Sequence, residues 1–144
     1  MLNGTILVLG NISDRTLDGV AAEFGWSVEW ANSYERFVEA AKEREIIAVL
    51  FERQVFDLTC EAALRMLRDT LPAALPIVCV RLSDVIDWPN LASAGAFHTV
   101  LLPMAKDEVR QTLGFVWAAN CRTTSIHSVP RSKTQAAGAG RRVA

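Results

Sequence analysis

The chain has 144 residues, which is the length of one ordinary domain with a short remainder. Its residues are 51% hydrophobic and 22% charged, and the mean hydropathy is +0.20, so a disordered chain, a collagen and a coiled-coil rod are excluded. The formal net charge of −1 gives no argument for binding to nucleic acid or to a membrane surface.

The charges are distributed unevenly along the chain. Residues 122–144 contain five basic residues and no acidic one, which leaves ten basic and sixteen acidic residues in the first 121. The body therefore carries −6 and the C-terminal segment +5. We expect one domain over residues 1–120 and a basic, flexible tail over 121–144. Without interleaved aromatic residues, such a tail is more typical of a solubilising terminus than of a nucleic-acid-binding segment.

The cysteines and the uncharged stretches indicate where the protein works. Cys60, Cys79 and Cys121 are widely spaced and form no CxxC pair. An odd number of cysteines without a secretory leader is typical of reduced thiols in the cytosol. The longest uncharged stretch, 88–105, contains two prolines and a glycine, which interrupt a membrane-spanning helix. We therefore expect a cytoplasmic domain that makes no membrane contact.

Five short apolar runs predict five strands. In chain order they are Thr5–Leu9, Ser27–Ala31, Ile46–Phe51, Ile77–Val80 and His98–Leu102. The first, third and fourth runs are continuously aliphatic, which is typical of parallel strands that are covered on both faces.

A helix is predicted after each strand, from capping residues and from apolar residues at helical spacing. The first helix is predicted to start at Ser13 or Asp14, the second at the capping-box spacing of Asn32 and Glu35, and the third at Thr59. The fourth starts where Pro89 follows Asp87 and Trp88, and the fifth, Lys106–Ala119, has an acidic first turn. The stop signals are Gly25, Pro72 and Ala94. The order is (βα)5. Right-handed crossovers then give a doubly wound α/β fold, a parallel sheet in the flavodoxin-like order 2-1-3-4-5.

Ligands of such sheets bind beyond the carboxyl ends of the strands. The residues at these strand ends are Gly10, Asn11, Glu52, Arg53, Arg81, Leu102 and Pro103. The run Ala94-Gly95-Ala96 precedes the fifth strand, and six residues separate this run from Pro103, which directly follows the strand. With these features, residues 4–119 resemble the receiver domains of response regulators, the CheY-like family.

The resemblance implies phosphoryl transfer to an aspartate, with Mg²⁺ held by that aspartate and by two acids after the first strand. It also implies a hydroxyl after the fourth strand, a lysine before the proline and an aromatic switch residue. This chain departs from the family at each of these places. Glu52 stands at the acceptor position, and Gly10 and Asn11 stand at the positions of the two acids. Arg81 takes the place of the hydroxyl residue, Leu102 that of the lysine and Thr99 that of the aromatic residue.

These departures predict a degenerate site, a pseudo-receiver. One carboxylate, one amide and one cation are a poor ligand set for Mg²⁺, so we expect the metal site to be lost and no cofactor to replace it. Glu52 and Arg81 either form a bidentate pair that fixes the switch in one state or are separately solvated. Asp14, Asp57 and Asp84 are interpreted as turn or capping residues rather than as other phosphoacceptors.

The expected function is therefore protein–protein interaction. We expect a non-enzymatic, receiver-like module of two-component phosphorelay signalling that binds a signalling protein or kinase independently of phosphorylation. Trp88 and Phe115 are candidate contacts, on a face formed by the fourth helix, fifth strand and fifth helix that is also suited to a homodimer. Core packing is the alternative role for both. An atypical phosphoaccepting receiver and a flavodoxin-like small-molecule binder are the alternative functions.

Overall fold

The structure is a computed structural model that describes residues 4–10, 12, 14–52, 55–81, 84 and 87–128, with side chains described up to residue 121. In this part of the chain, strands and helices alternate. The strands are β1 Thr5–Leu9, β2 Ser27–Ala31, β3 Ile46–Glu52, β4 Leu75–Arg81 and β5 His98–Leu102. The helices are α1 Thr16–Glu23, α2 Tyr34–Glu43, α3 Cys60–Thr70, α4 Trp88–Ser93 and α5 Lys106–Ser128.

The five strands form one parallel sheet in the order β2-β1-β3-β4-β5, which confirms the predicted fold. The three aliphatic runs lie in β1, β3 and β4 at the centre of the sheet, and β2 and β5 form its edges. All five residues of β1 are buried, because helices cover the sheet on both faces.

Two apolar cores lie on the two faces of the sheet. Along β1, Ile6 and Val8 point to the core shared with α1 and α5, whereas Leu7 and Leu9 point to the opposite core. The main helical contributors to the first core are Leu17, Val20, Val109, Leu113 and Val116. The main helical contributors to the second core are Phe37, Leu64, Leu67 and Leu91. None of the described helices is both long enough and apolar enough to cross a lipid bilayer.

Capping side chains start three of the helices. Thr59 caps α3 as predicted, and Asp87 caps α4, which starts at Trp88, one residue before Pro89. Each cap accepts from a backbone N–H three residues later, at 3.2 and 3.3 Å. The cap of α2 is Ser33 rather than Asn32. Ser33 has the extended conformation of a cap (φ −144°, ψ 158°), and its hydroxyl accepts from the N–H of Arg36 at 3.2 Å.

Helix α1 starts differently from the prediction. Its N-cap position is Arg15, which makes no side-chain capping bond. Asp14 acts from one residue earlier, because its Oδ1 accepts from the N–H of Thr16 at 3.0 Å. Ser13, the other predicted cap, lies outside the described residues. Gly25 follows the end of the helix with a φ of +79°, a conformation that glycine adopts without strain.

Helix α5 is longer than predicted, since it ends at Ser128 rather than Ala119. The apolar stripe that defined the prediction stops near Trp117, but no proline interrupts the chain until Pro130. The 23 residues of α5 span about 34 Å, roughly twice the length of the five-residue strand β5. Residues 121–128, which the charge pattern assigns to the tail, belong to this helix, and residues 129–144 lie outside the described part.

Candidate functional site

A bidentate ion pair joins the carboxyl ends of β3 and β4. Arg81 Nε donates to Glu52 Oε2 at 3.1 Å, and Nη2 donates to Oε1 at 3.4 Å. The sheet register explains the contact. Glu52 pairs with Cys79, and Arg81 lies two residues beyond Cys79 on the same face. The structure thus brings the two side chains together, as the bidentate hypothesis requires.

The ion pair is exposed to solvent, whereas its neighbour on β5 is buried. The Glu52 side chain is 31% exposed and the Arg81 side chain 57% exposed, so water reaches both charges. Leu102 pairs with Arg81 on the next strand and is only 5% exposed. An apolar, uncharged side chain therefore occupies the position where the resemblance implies a lysine. The remaining switch candidates are half-buried Thr99 within β5 and exposed Pro103 directly after it.

The chain after β1 offers little side-chain chemistry at this edge. Gly10 has a φ of +88°, and its N–H donates to the carbonyl of Ala31 at 3.0 Å, so it turns the chain away from the sheet without presenting a side chain. Asn11, the other residue at the positions of the family's metal-binding acids, lies outside the described residues.

Asp14 makes a contact that its sequence does not signal. Its Oδ1 accepts from Thr16 N–H, as a capping residue would, but its Oδ2 accepts from the N–H of Met104 at 2.7 Å. The second bond joins the β1–α1 loop to the β5–α5 loop. Desolvation of Asp14 raises its pKa, but the backbone N–H groups of Thr16 and Met104 and the side chain of Thr16 together outweigh that effect and hold the pKa below its usual value. The predicted local role is confirmed, and a long-range role is added.

The loop after Glu52 contains a tight turn in an unusual conformation. Val55 and Leu58 exchange two backbone hydrogen bonds, and the two central residues, Phe56 and Asp57, have φ values of +53° and +63°. These are the angles of a type I′ turn, which favours asparagine and glycine. The Phe56 ring packs edge-on against Tyr34, with centroids 6.2 Å apart. Asp57 is therefore a turn residue, as predicted.

The side chains described at this edge do not fit a magnesium site. Both oxygens of Glu52 accept from a guanidinium, and both oxygens of Asp14 accept from backbone N–H groups. Mg²⁺ requires near-octahedral oxygen ligands, so it would have to displace partners that are already present. Across the described ranges, no group of three or more His, Cys, Asp or Glu side chains is placed to hold a metal ion.

A buried thiol lies beside this pair. Cys79 is 1% exposed. Burial and the nearby carboxylates of Glu52, Glu108 and Asp14 raise the pKa of Cys79 to about 12. The thiol therefore stays protonated at neutral pH and cannot act as a nucleophile.

No protein-family model and no curated protein matches the chain, whereas solved structures do. One is NtrX from Brucella abortus in complex with ADP, with a TM-score of 0.75 and 13% identity over 93% of this chain and 31% of that one. A response regulator from Thermotoga maritima has a TM-score of 0.66 and 20% identity, over 80% of this chain and 98% of that one. A response regulator receiver domain protein from Clostridium thermocellum has a TM-score of 0.69 and 17% identity, over 83% of this chain and 98% of that one.

The chain has the fold of a response-regulator receiver domain. At these identities the likeness is one of fold, and the chain spans about a third of the length of NtrX. The receiver fold places the Glu52–Arg81 pair at the carboxyl edge, where ligands of doubly wound sheets bind.

One side of α5 runs along the edge strand β5. Near the start of the helix, Glu108 Oε1 accepts from the N–H of Leu101 at 3.3 Å. Two turns later, the ring of Phe115 packs edge-on against His98, with centroids 5.5 Å apart. Phe115 is 44% exposed and Trp88, at the start of α4, is 40% exposed, so neither is a core residue.

Trp117 also lies on the surface of α5, at 48% exposure, while Val116 between the two aromatic residues is fully buried. Two residues correspond to about 200° around a helix, so Trp117 and Phe115 project from different sides of α5.

Proposed function

We propose that this chain is a non-enzymatic, receiver-like module of two-component signalling that acts by binding another protein without being phosphorylated. The observation that carries the proposal is the Glu52–Arg81 pair. Phosphoryl transfer needs a free carboxylate oxygen to attack and a metal ion to neutralise the transferred charge. At the acceptor position, both carboxylate oxygens are already held by a guanidinium.

Two further features support the loss of phosphoryl chemistry. Leu102 brings no cation to the place where the resemblance implies a phosphate-binding lysine. The described side chains also lack the oxygen ligands of a magnesium site, so we predict that the protein binds Mg²⁺ weakly or not at all. The proposed partner is a cytoplasmic signalling protein or kinase.

The proposed interaction surface is the face formed by α4, β5 and α5, through which the chain also forms a homodimer in this proposal. The support for this surface is that Trp88 of α4 and Phe115 of α5 are 40% and 44% exposed, and that Phe115 packs against His98 of β5. Exposed aromatic side chains of this kind supply much of the binding energy at protein interfaces, because they bury a large area at a low entropic cost.

Phosphorylation is tested by incubating the chain with acetyl phosphate and Mg²⁺ and then measuring its intact mass. We expect no gain of a phosphoryl group in the wild type. We also expect none in Glu52→Asp, because that change restores the aspartate but not the metal ligands or the lysine. A receiver domain that has the aspartate, the metal-binding acids and the lysine, treated in parallel, controls for the reagent. A mass gain in the wild type would instead establish an atypical phosphoacceptor.

The interaction surface is tested by sedimentation of the purified chain and by affinity capture from the native cytosol, with Trp88→Ala and Phe115→Ala variants. We expect each variant to weaken association about tenfold or more, as truncation of a central aromatic contact does. Trp117→Ala is the matched control, because it removes an equally exposed aromatic side chain from another side of α5. Equal effects of all three variants, or none, would contradict the assignment of the surface.

A further inference from the structure

Helix α5 is tied to the neighbouring helix α1 at two places. Asp14, two residues before α1, accepts from the N–H of Met104, two residues before α5, at 2.7 Å. The same carboxylate accepts from the N–H of Thr16, the first residue of α1, so it joins the N-terminal ends of both helices. Glu23, the last residue of α1, accepts from Arg110 in the second turn of α5, whose Nε and Nη2 lie 2.9 and 3.0 Å from its two oxygens. The two ties therefore lie at opposite ends of α1.

Two other contacts hold the same part of α5. Its side toward β5 is fixed by Glu108, whose Oε1 accepts from the N–H of Leu101 at 3.3 Å. Its inner side is buried, since Val109 and Leu113 are each 1% exposed and belong to the core that α1 shares with α5. The start of α5 is therefore held by polar contacts on two sides and by the apolar core beneath it.

We propose that Asp14 and Glu23 clamp α5 to α1, so that α5 keeps one position without a metal ion or a phosphoryl group at the carboxyl edge of the sheet. Phe115 lies five residues after Arg110 on the same helix, and a helix transmits the position of one turn to the next as a rigid element. The contact that Phe115 offers to a partner is then preformed, which lowers the entropic cost of binding. This consequence for binding rests on the proposed function, whereas the clamp itself does not.

The competing interpretation is that the apolar core alone positions α5 and that both ties are surface contacts without effect on the helix. Exposed ion pairs often contribute nothing measurable, and the side chains of Glu23 and Arg110 are 43% and 42% exposed. The two interpretations differ at the start of α5. Opening of the first turn breaks the bond to Met104 but leaves Leu113 in the core, so it reports the ties separately from the core.

Native-state hydrogen exchange at the start of α5 separates the two interpretations. The N–H of Val109 donates to the carbonyl of Ala105 at 2.9 Å, and this bond breaks when the first turn opens. The N–H of Ala63 donates to the carbonyl of Thr59 at the same distance in the first turn of α3, on the opposite face of the sheet. Ala63 is therefore an internal reference, and the ratio of the Val109 rate to the Ala63 rate measures opening of α5 alone.

We expect Asp14→Ala to raise this exchange ratio about tenfold, which corresponds to the loss of a half-buried hydrogen bond to a charged group. Glu23→Gln should raise it about two- to fivefold, which corresponds to the loss of a well-oriented exposed pair. The matched control is Glu29→Gln, because it removes an ion pair between β2 and the end of α2 and no contact of α5. If Asp14→Ala does not fold, Asp14→Asn keeps one acceptor and should give a smaller rise.

An exchange ratio that stays at the wild-type value in both the Asp14 and the Glu23 variants would overturn the clamp. Equal rises at Val109 and Ala63 would overturn it too, because they would show a global loss of stability. In the wild type, Mg²⁺ and acetyl phosphate should leave the amide chemical shift of Phe115 unchanged, and a shift without a gain in mass would show that α5 is not fixed. A gain in mass would refute the proposed function, and the exchange ratios of the untreated proteins would still decide the clamp.

Discussion

Removal of the Asp14 carboxylate tests whether one side chain holds two loops together. Two backbone donors reach it, from Thr16 at 3.0 Å and from Met104 at 2.7 Å. A hydrogen bond to a charged group contributes about 1.5–3 kcal/mol when it is buried. Because Asp14 is only half-buried, water replaces part of each bond, and we take about 1 kcal/mol for each. Asp14→Ala should therefore lower the free energy of unfolding by about 2 kcal/mol, and Tm by about 6–8 °C.

The Asp14→Asn variant adds a pH signature. Its amide oxygen still accepts one bond, so the expected loss near neutral pH is about 1 kcal/mol. The backbone donors lower the pKa of Asp14 in the folded state, so its contribution is complete above the unfolded value of about 3.9. That contribution disappears as the pH falls through the folded-state pKa. The difference between wild type and variant should thus be constant from pH 7 to 5 and shrink below about pH 4.

Urea denaturation at pH 7 and at pH 3.5, followed by circular dichroism, measures both effects. Glu39→Gln, an exposed position on α2, controls for the loss of one negative charge. The reasoning fails if Asp14→Ala is as stable as the control at neutral pH. It also fails if the destabilisation by Asp14→Asn is the same at both pH values, because the carboxylate charge would then have no part in it.

Two further predictions concern the neighbourhood of Glu52. In the native protein, iodoacetamide should alkylate Cys60 and Cys121 but not Cys79, because the burial of Cys79 and its pKa of about 12 leave almost no reactive thiolate. After denaturation, mass spectrometry should find all three cysteines alkylated. Asp57→Gly should raise the free energy of unfolding by about 0.5–1 kcal/mol, because glycine adopts the observed φ of +63° without strain, whereas Asp57→Ala should lower it. Triple alkylation of the native protein, or equal urea midpoints for the glycine and alanine variants, would contradict these expectations.

The sheet could be predicted because its sequence signals are local and agree with one another. Each aliphatic run is bounded by a residue that ends a strand, such as Gly10 after β1, and the alternation of strands and helices leaves few topologies. The end of α5 could not be predicted in this way, because an apolar stripe indicates which residues of a helix are buried and not where the helix ends. Residues 118–128 carry no periodic apolar pattern, so the sequence does not indicate that the helix continues to Ser128.

The contacts of the candidate site were predictable to different degrees. Glu52 and Arg81 each end a strand, and those strands are neighbours in the expected order, so their pairing follows from topology. The bond between Asp14 and Met104 joins residues 90 positions apart through a backbone N–H. Every residue other than proline has that group, so no residue type in the sequence could have marked Met104 as a partner.

The hydrogen bond from Leu101 to Glu108 has a consequence for assembly. Strand β5 is an edge of the sheet, and outward N–H groups on an edge strand invite the backbone of another chain to add a strand. The carboxylate of Glu108 already accepts from one of those donors, so an incoming carbonyl would have to displace Glu108 to reach it. Sheet extension across molecules is disfavoured there, so recognition at this edge depends on side-chain shape and chemistry, which allows it to be selective.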